Sequence, residues 1–155
     1  EPLPVEDFGP GKVRMYKYWS EMRILANCLV MCHFPPWGFT DYPELVNAVT
    51  GWDTTIYELA KVAQRTLNLA RIFNLRAGFT HSDDWLPPRF FQPQTSGALS
   101  ETAVIPGQLR NAIDTYYEMM GWNGDGVPRP ATLHELNIGW AAEYLPDSDT
   151  ERLVV

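Results

Sequence analysis

The residues best equipped for chemistry lie in one short stretch, Asn27-Cys28-Leu29-Val30-Met31-Cys32-His33-Phe34. It holds both cysteines of the chain and one of its three histidines. The pattern Cys28-x3-Cys32-His33 is open to several readings. Two thiols at an apolar helix end can simply be buried and inert, since free cysteine is among the most buried residue types. The adjacent histidine also makes an expanded form of the Cys-x-x-Cys-His pattern of covalent haem attachment, although His33 runs straight into Phe34-Pro35-Pro36. A third reading is a single thiolate ligand to a cluster whose other ligands lie outside this chain. Zinc is poorly served, because two cysteines and one neighbouring histidine do not easily surround a tetrahedral ion. A disulfide between thiols one helical turn apart is geometrically poor, which points to a reducing compartment and a cytoplasmic protein.

Elsewhere the signals are weaker. His81, Asp83 and Asp84 share a loop and could offer ligands to a cation, but the plain reading is a solvated turn. His81 and His134 have no nucleophile in a recognisable motif, and no Gly-rich phosphate loop occurs. Asn123-Gly124-Asp125-Gly126 is too short and too poor in acids for a calcium loop.

The elements that must carry these residues read as helices. Met15, Tyr18, Trp19, Met22, Leu25, Ala26 and Leu29 recur at helical spacing and predict a helix from about Lys12 to Leu29, with that stripe inward. Pro35 and Pro36 stop it, so the cysteines sit at its C-terminal end. Asp41 with Glu44 predicts a capped helix to about Val49, closed by Gly51. Thr55 with Glu58 forms a second capping box. It opens the longest helix, to about Leu75, with Ile56, Leu59, Ala63, Leu67, Ala70 and Phe73 inward and Glu58, Lys61, Arg65, Asn68 and Arg71 outward. Residues 92–107 read as irregular. A helix from about Gln108 to Met120, a short one from Ala131 to Leu136 and a last turn around Gly139 to Tyr144 complete the chain, with a polar tail. No stretch alternates convincingly, so the fold class is all-α: one compact multi-helix domain over 1–155, with Pro-rich connections.

Bulk composition narrows the partners. At 155 residues, 45% hydrophobic and 13% aromatic, the chain can bury one core and is not a disordered segment. A net charge of −7 argues against nucleic acid and anionic membranes, which select for clustered Lys and Arg. No apolar run approaches the roughly 20 residues that span a bilayer. The opening Glu1-Pro2-Leu3-Pro4 reads as a cut inside a larger protein or a processed product.

Several stretches resemble the C-terminal domain of the tungsten-containing aldehyde ferredoxin oxidoreductase family. Asn47-Ala48-Val49-Thr50-Gly51-Trp52-Asp53 is similar to its N-A-V-T-G-W-D segment. The stretch from Asn68 to Phe79 resembles N-L-E-R-L-F-N-x-R-E-G-F, and that from Asp84 to Phe90 resembles D-x-L-P-x-R-F. Tyr116-Tyr117-Glu118-Met119-Met120-Gly121-Trp122 resembles Y-Y-E-x-x-G-W, followed by Gly126-Val127-Pro128 for G-I-P.

The resemblance implies a function. The family's D-x-x-G-L-C motif falls on Asn27 to Cys32. Cys32 then matches the cysteine that ligates a [4Fe-4S] cluster, and Asn27 and Met31 fall on the part of the motif that meets a tungsten (or molybdenum) bis-pterin. Asn27 stands where the family has Asp, Val30 where it has Gly, and Met31 where it has Leu. The amide keeps an acceptor but lacks the charge that favours bonds from pterin amines, and Val30 adds bulk. Cys28 matches no ligand and reads as structural. The other cluster cysteines, the pterin domain and the acid–base residues would lie upstream. The chain then reads as an excised C-terminal fragment, inactive alone, with no catalytic residue of its own. Its parent would oxidise a small aldehyde to a carboxylic acid and pass electrons to ferredoxin, with the remaining domains of the polypeptide as partners. The alternative is a helical interaction or scaffold domain that has lost the cofactor.

Overall fold

The computed structural model describes residues 3–97 and 100–146. The described residues form five α-helices: α1 (Pro10–Cys28), α2 (Asp41–Thr50), α3 (Ile56–Arg76), α4 (Pro106–Met119) and α5 (Pro130–Glu135). Two 3₁₀ turns, Pro88–Phe91 and Gly139–Tyr144, sit between and after them. Among the described residues the only β pairing is an isolated bridge between Trp122 and Pro128. The domain is all-α, as the sequence predicts. No helix among the described residues is long and apolar enough to cross a membrane. The polar tail beyond Pro146 lies outside the described residues.

The prolines explain the connections. Pro10, Pro106 and Pro130 each open a helix, where the missing N–H would be unpaired anyway and the fixed φ is already helical. The capping box at the start of α3 forms as expected. Thr55 N–H donates to Glu58 Oε2 at 2.8 Å, and Glu58 N–H donates to Thr55 Oγ1 at 3.3 Å. The start of α2 differs from expectation. Thr40 is its N-cap, with no side-chain cap bond. Asp41 lies inside the first turn, and its carboxylate instead accepts the Gly38 N–H at 2.7 Å.

Four helices end alike. In each, one backbone N–H reaches back five residues to a carbonyl and the preceding one reaches back three, the pattern of the Schellman motif. The long bonds are Met31 to Ala26, Phe79 to Asn74, Trp122 to Tyr117 and Ile138 to Leu133. The motif needs a left-handed residue. Gly78, Gly121 and Asn137 supply it for α3, α4 and α5, while α1 uses Val30, at φ 56°.

α3 is the spine. Its Leu59 and Ala63 pack with Met22, Leu25 and Ala26 of α1 and Tyr42 and Val46 of α2. Ile72 packs with Leu133 and Leu136 at α5 and with Ile138 and Ala141 around the last turn. Leu67 lies against Tyr117, Met120 and Trp122. A helix packed on several sides has little outward face left, and here two expectations fail. Asn68 is 1% exposed and Arg71 7% exposed, not outward. Ile56 and Phe73, expected inward, are exposed, Phe73 at 71%. On α1 the expected stripe is correct for Met22, Leu25 and Ala26, but Met15, Tyr18 and Trp19 are exposed and Glu21 is buried beside Lys17.

Candidate functional site

The Cys28–His33 stretch forms the C-terminal turn of α1. The Schellman bonds run from Val30 N–H to Asn27 O at 3.1 Å and from Met31 N–H to Ala26 O at 2.9 Å. They fold the chain back across the end of its own helix. Met31 returns to pack on the α1–α2–α3 core and is half-buried. Cys32 is exposed and free. His33 comes back over Asn27, its Nε2 standing 2.9 Å from Asn27 Oδ1. An amide oxygen only accepts, so Nε2–H donates. Around this turn the surface is apolar: Val30 is 92% and Phe34 98% exposed, and Trp37 and Phe39 are exposed beyond them.

Cys28 lies apart from this surface chemistry. Its Sγ stands 3.4 Å from Thr66 Oγ1 on α3. The Thr66 hydroxyl already donates to Val62 O at 2.9 Å, so the thiol is the donor of the pair. Asn27, Met31 and Cys32 are therefore brought to one turn, with Cys32 and the Asn27–His33 pair facing out and Met31 facing in. Among the described residues no group of three or more His, Cys, Asp or Glu is arranged to hold a metal ion.

In the His81 loop both aspartates have protein partners. Asp83 Oδ2 accepts from Thr80 N–H at 2.7 Å and from its hydroxyl at 3.1 Å. Asp84 turns inward to Arg71, with Nη1 to Oδ2 at 2.7 Å. His81 lies 3.9 Å from Asp125, both largely exposed.

Asp84 belongs to a polar network at the edge of a cavity of about 800 Å³ between α1, α3 and α4. Tyr16, Trp19, Trp85, Ile113, Tyr116 and Trp122 supply much of its wall. In the network, Arg71 Nε donates to Gly126 O at 2.8 Å and the Tyr117 hydroxyl donates to Asp84 Oδ2. The guanidinium also lies over the rings of Tyr117 and Trp122, 5.4 and 5.2 Å from their centroids. Asn68 closes the network: its Oδ1 accepts the Trp122 indole N–H at 2.9 Å, and its Nδ2 donates to Gln64 O at 2.9 Å. Burial pushes the Tyr117 phenol up to about 12, helped by its bond to Asp84. Burial raises Tyr116 further in the same direction.

Sequence reasoning missed this network because it sent Asn68 and Arg71 outward. A signal was nonetheless present. Asn68, Arg71, Asp84, Tyr117, Trp122 and Gly126 all lie in the segments that carry the family resemblance, and those segments converge here. Asn47 of a further segment ties the α2–α3 loop, donating to Thr54 O at 3.1 Å and accepting from Thr54 N–H at 2.8 Å.

The family model described as "Aldehyde ferredoxin oxidoreductase, domains 2 & 3" matches residues 1–138. The tungsten-containing aldehyde ferredoxin oxidoreductase of Pyrococcus furiosus is 33% identical over 136 residues, 85% of this chain and 22% of that protein. The enzyme of the same name from Thermococcus kodakarensis is 32% identical over 143 residues, 90% of this chain and 23% of its own length. The WOR-like subunit of an aliphatic sulfonate oxidoreductase from Pyrococcus furiosus is 33% identical, over 72% of this chain and 19% of that one. The chain thus spans about a fifth of the length of the relatives it matches. Among solved structures, the active-site complex BamBC of benzoyl coenzyme A reductase, with 1,5 dienoyl-CoA bound, superposes with a TM-score of 0.72 at 24% identity. It covers 92% of this chain and 22% of that one, a likeness of fold alone. The chain belongs to the aldehyde ferredoxin oxidoreductase family, within the region described as its domains 2 and 3.

Proposed function

We propose that this domain is part of a tungsten- or molybdenum-dependent oxidoreductase, and that the turn at the end of α1 is its contribution to the redox centre. Cys32 is the thiolate this chain gives to a [4Fe-4S] cluster. Asn27 and Met31 lie along the bis-pterin cofactor. The observation that carries the reading is the exposed, unpaired Cys32 on an apolar surface, held by a turn that rests on the domain core.

The donor set fits the group in part. A four-iron cluster is held by four thiolates. Cys32 is free to be one of them, whereas the Cys28 thiol is engaged with Thr66. The remaining three come from elsewhere in the polypeptide, so this domain is inactive by itself. When bound, the metal–pterin group supplies two-electron oxidation of an aldehyde to a carboxylic acid, with the cluster passing electrons singly to ferredoxin. What this chain's residues do is narrower. The Schellman turn fixes Cys32, Met31 anchors the turn in the core, and Val30, Phe34 and Trp37 form a dry surface against the remaining domains. Water exclusion there strengthens every bond to a bound group.

The test is iron and tungsten (or molybdenum) content of the intact polypeptide, purified without oxygen. The reading requires about four irons and one tungsten or molybdenum per chain. Cys32→Ser should lose iron and Cys28→Ser should keep it. Folded protein with neither metal would leave the scaffold reading, which the departures at Asn27 and Val30 favour.

A further inference from the structure

The cavity between α1, α3 and α4 opens on the outward face of α1. Met15, Tyr16 and Trp19 line it there, and all three are exposed, Trp19 at 53%. Trp19 also meets Phe39 edge-on, with ring centroids 6.1 Å apart. Beyond Phe39 the chain exposes Trp37 and Phe34, next to the turn that carries Cys32. The apolar surface is therefore one strip from the cavity to that turn. Along the axis of α1 it spans about 14 Å between Trp19 and Cys28. A protein surface seldom leaves so much contiguous apolar area in water unless a partner covers it. A small molecule in the cavity would leave the rest of the strip wet, whereas a polypeptide segment can cover both.

The entry segment indicates which polypeptide this is. Val5 and Phe8 line the edge of the cavity, and Lys12 Nζ donates to Pro4 O at 2.7 Å. Chain preceding Leu3 thus reaches the domain at the cavity. The relatives have ample chain to return there, since this chain spans about a fifth of their length. The wall also offers a polar handle. Among the described residues the Tyr116 hydroxyl, on that wall, has no hydrogen-bond partner, and a hydroxyl proton there can meet a backbone carbonyl.

We propose that the cavity seats a segment of the same polypeptide that precedes Leu3. The segment presents apolar side chains to the Met15, Tyr16 and Trp19 wall and a carbonyl to the Tyr116 hydroxyl. The inference rests on the proposed function, in which the remaining domains complete the redox centre, and adds a second contact to that assembly. Because cavity and turn share α1, the seated segment fixes the height of the turn against the domain that brings the other thiolates.

The experiment is photo-crosslinking in the intact polypeptide. The photoreactive p-benzoylphenylalanine replaces Met15 or, in a second variant, Tyr16. Both side chains are exposed, so one variant carries the test if the other fails to fold. Asp114, exposed on α4 and not on the cavity wall, is the control position. Mass spectrometry identifies the joined peptides. We expect Met15 and Tyr16, but not Asp114, to join to a peptide of the same chain that precedes Glu1. Ala70 is a small exposed residue on the wall. Adding Ala70→Trp overfills the cavity and should lower the yield about tenfold. Products joined only to residues 1–155 would mean that the cavity lies open to solvent or a small molecule, and would overturn the proposal. Products joining two chains would place a second copy there and also overturn it. Equal yield from Asp114, or full yield with Ala70→Trp, would overturn it as well. Iron and tungsten are measured on the same samples. Metal-free protein that still gives the product removes the proposed function and leaves the docking; metal-loaded protein without the product does the reverse.

Discussion

Arg71 Nη1 and Asp84 Oδ2 stand 2.7 Å apart, and of the two the arginine is the buried partner. Its fork reaches at once to Asp84 and to the carbonyl of Gly126. One side chain on α3 thereby pins the 81–87 loop, the turn after α4, and α4 itself through Tyr117. We expect Arg71→Met to cost about 3 kcal/mol in urea unfolding, the scale of breaking a buried pair. Arg71→Lys should recover less than half of this, because an ammonium cannot serve both acceptors in fork geometry. Loss under 1 kcal/mol in either would show that the network contributes little.

Gly126 makes the close approach of that arginine possible. A Cβ there would stand 2.2 Å from Arg71 Nη2 and 2.8 Å from Tyr117 Cζ, and the residue has φ +73°. Gly51 has nearly the same φ, +74°, but nothing within 4 Å of its Cβ position. Gly51→Ala should therefore cost only the left-handed conformation, about 1 kcal/mol. Gly126→Ala should cost about 3 kcal/mol or more, because the guanidinium must leave its partners. Similar losses at the two positions, measured by chemical unfolding, would assign the whole effect to backbone conformation.

The tyrosines give a pH dependence with a definite sign. Tyr117 is raised to about 12 by burial and by Asp84, and Tyr116 is raised by burial. A phenol whose folded-state value exceeds its unfolded value of about 10 stays protonated longer in the folded chain. Its contribution is complete below pH about 10 and is lost as pH rises towards about 12. Stability should fall across that window, and Tyr117→Phe should flatten the fall. An unchanged slope in the variant would mean that other groups carry the alkaline transition.

What the sequence discloses follows from which forces are local. Helix starts and stops are set by a few neighbouring atoms, so the Thr55–Glu58 box and the Gly51 stop could be read directly, while α1 opens at Pro10, two residues before the expected Lys12. Inward and outward faces are not local. Asn68 and Arg71 look like an outward polar face until partners 54 and 55 residues away satisfy them. Met15 and Trp19 look like core until the cavity beside α1 takes their place. At the candidate site, the position of Cys32 at a helix end was legible, but the His33–Asn27 bond was not. It depends on a left-handed valine, a conformation that valine's own preference argues against.

That valine also separates stability from function. Among the four Schellman turns, those of α3, α4 and α5 place glycine or asparagine at the left-handed residue, and α1 places Val30 there. Its side chain is almost wholly exposed, so it recovers little by packing, while the conformation costs a β-branched residue at least 1–2 kcal/mol (roughly). Val30→Gly relieves that strain but adds freedom to the unfolded chain, worth about 0.5–1 kcal/mol against it. The net expectation is a gain of about 1 kcal/mol. Asn137→Gly, at the same φ of 56°, should gain only a few tenths, since asparagine tolerates the conformation. The comparison of the two urea midpoints is the measurement. Equal gains would mean that valine is no more strained than asparagine here. A loss in Val30→Gly would mean that the exposed side chain makes a contact that holds the turn, and that Cys32 and the His33–Asn27 pair owe their positions to it.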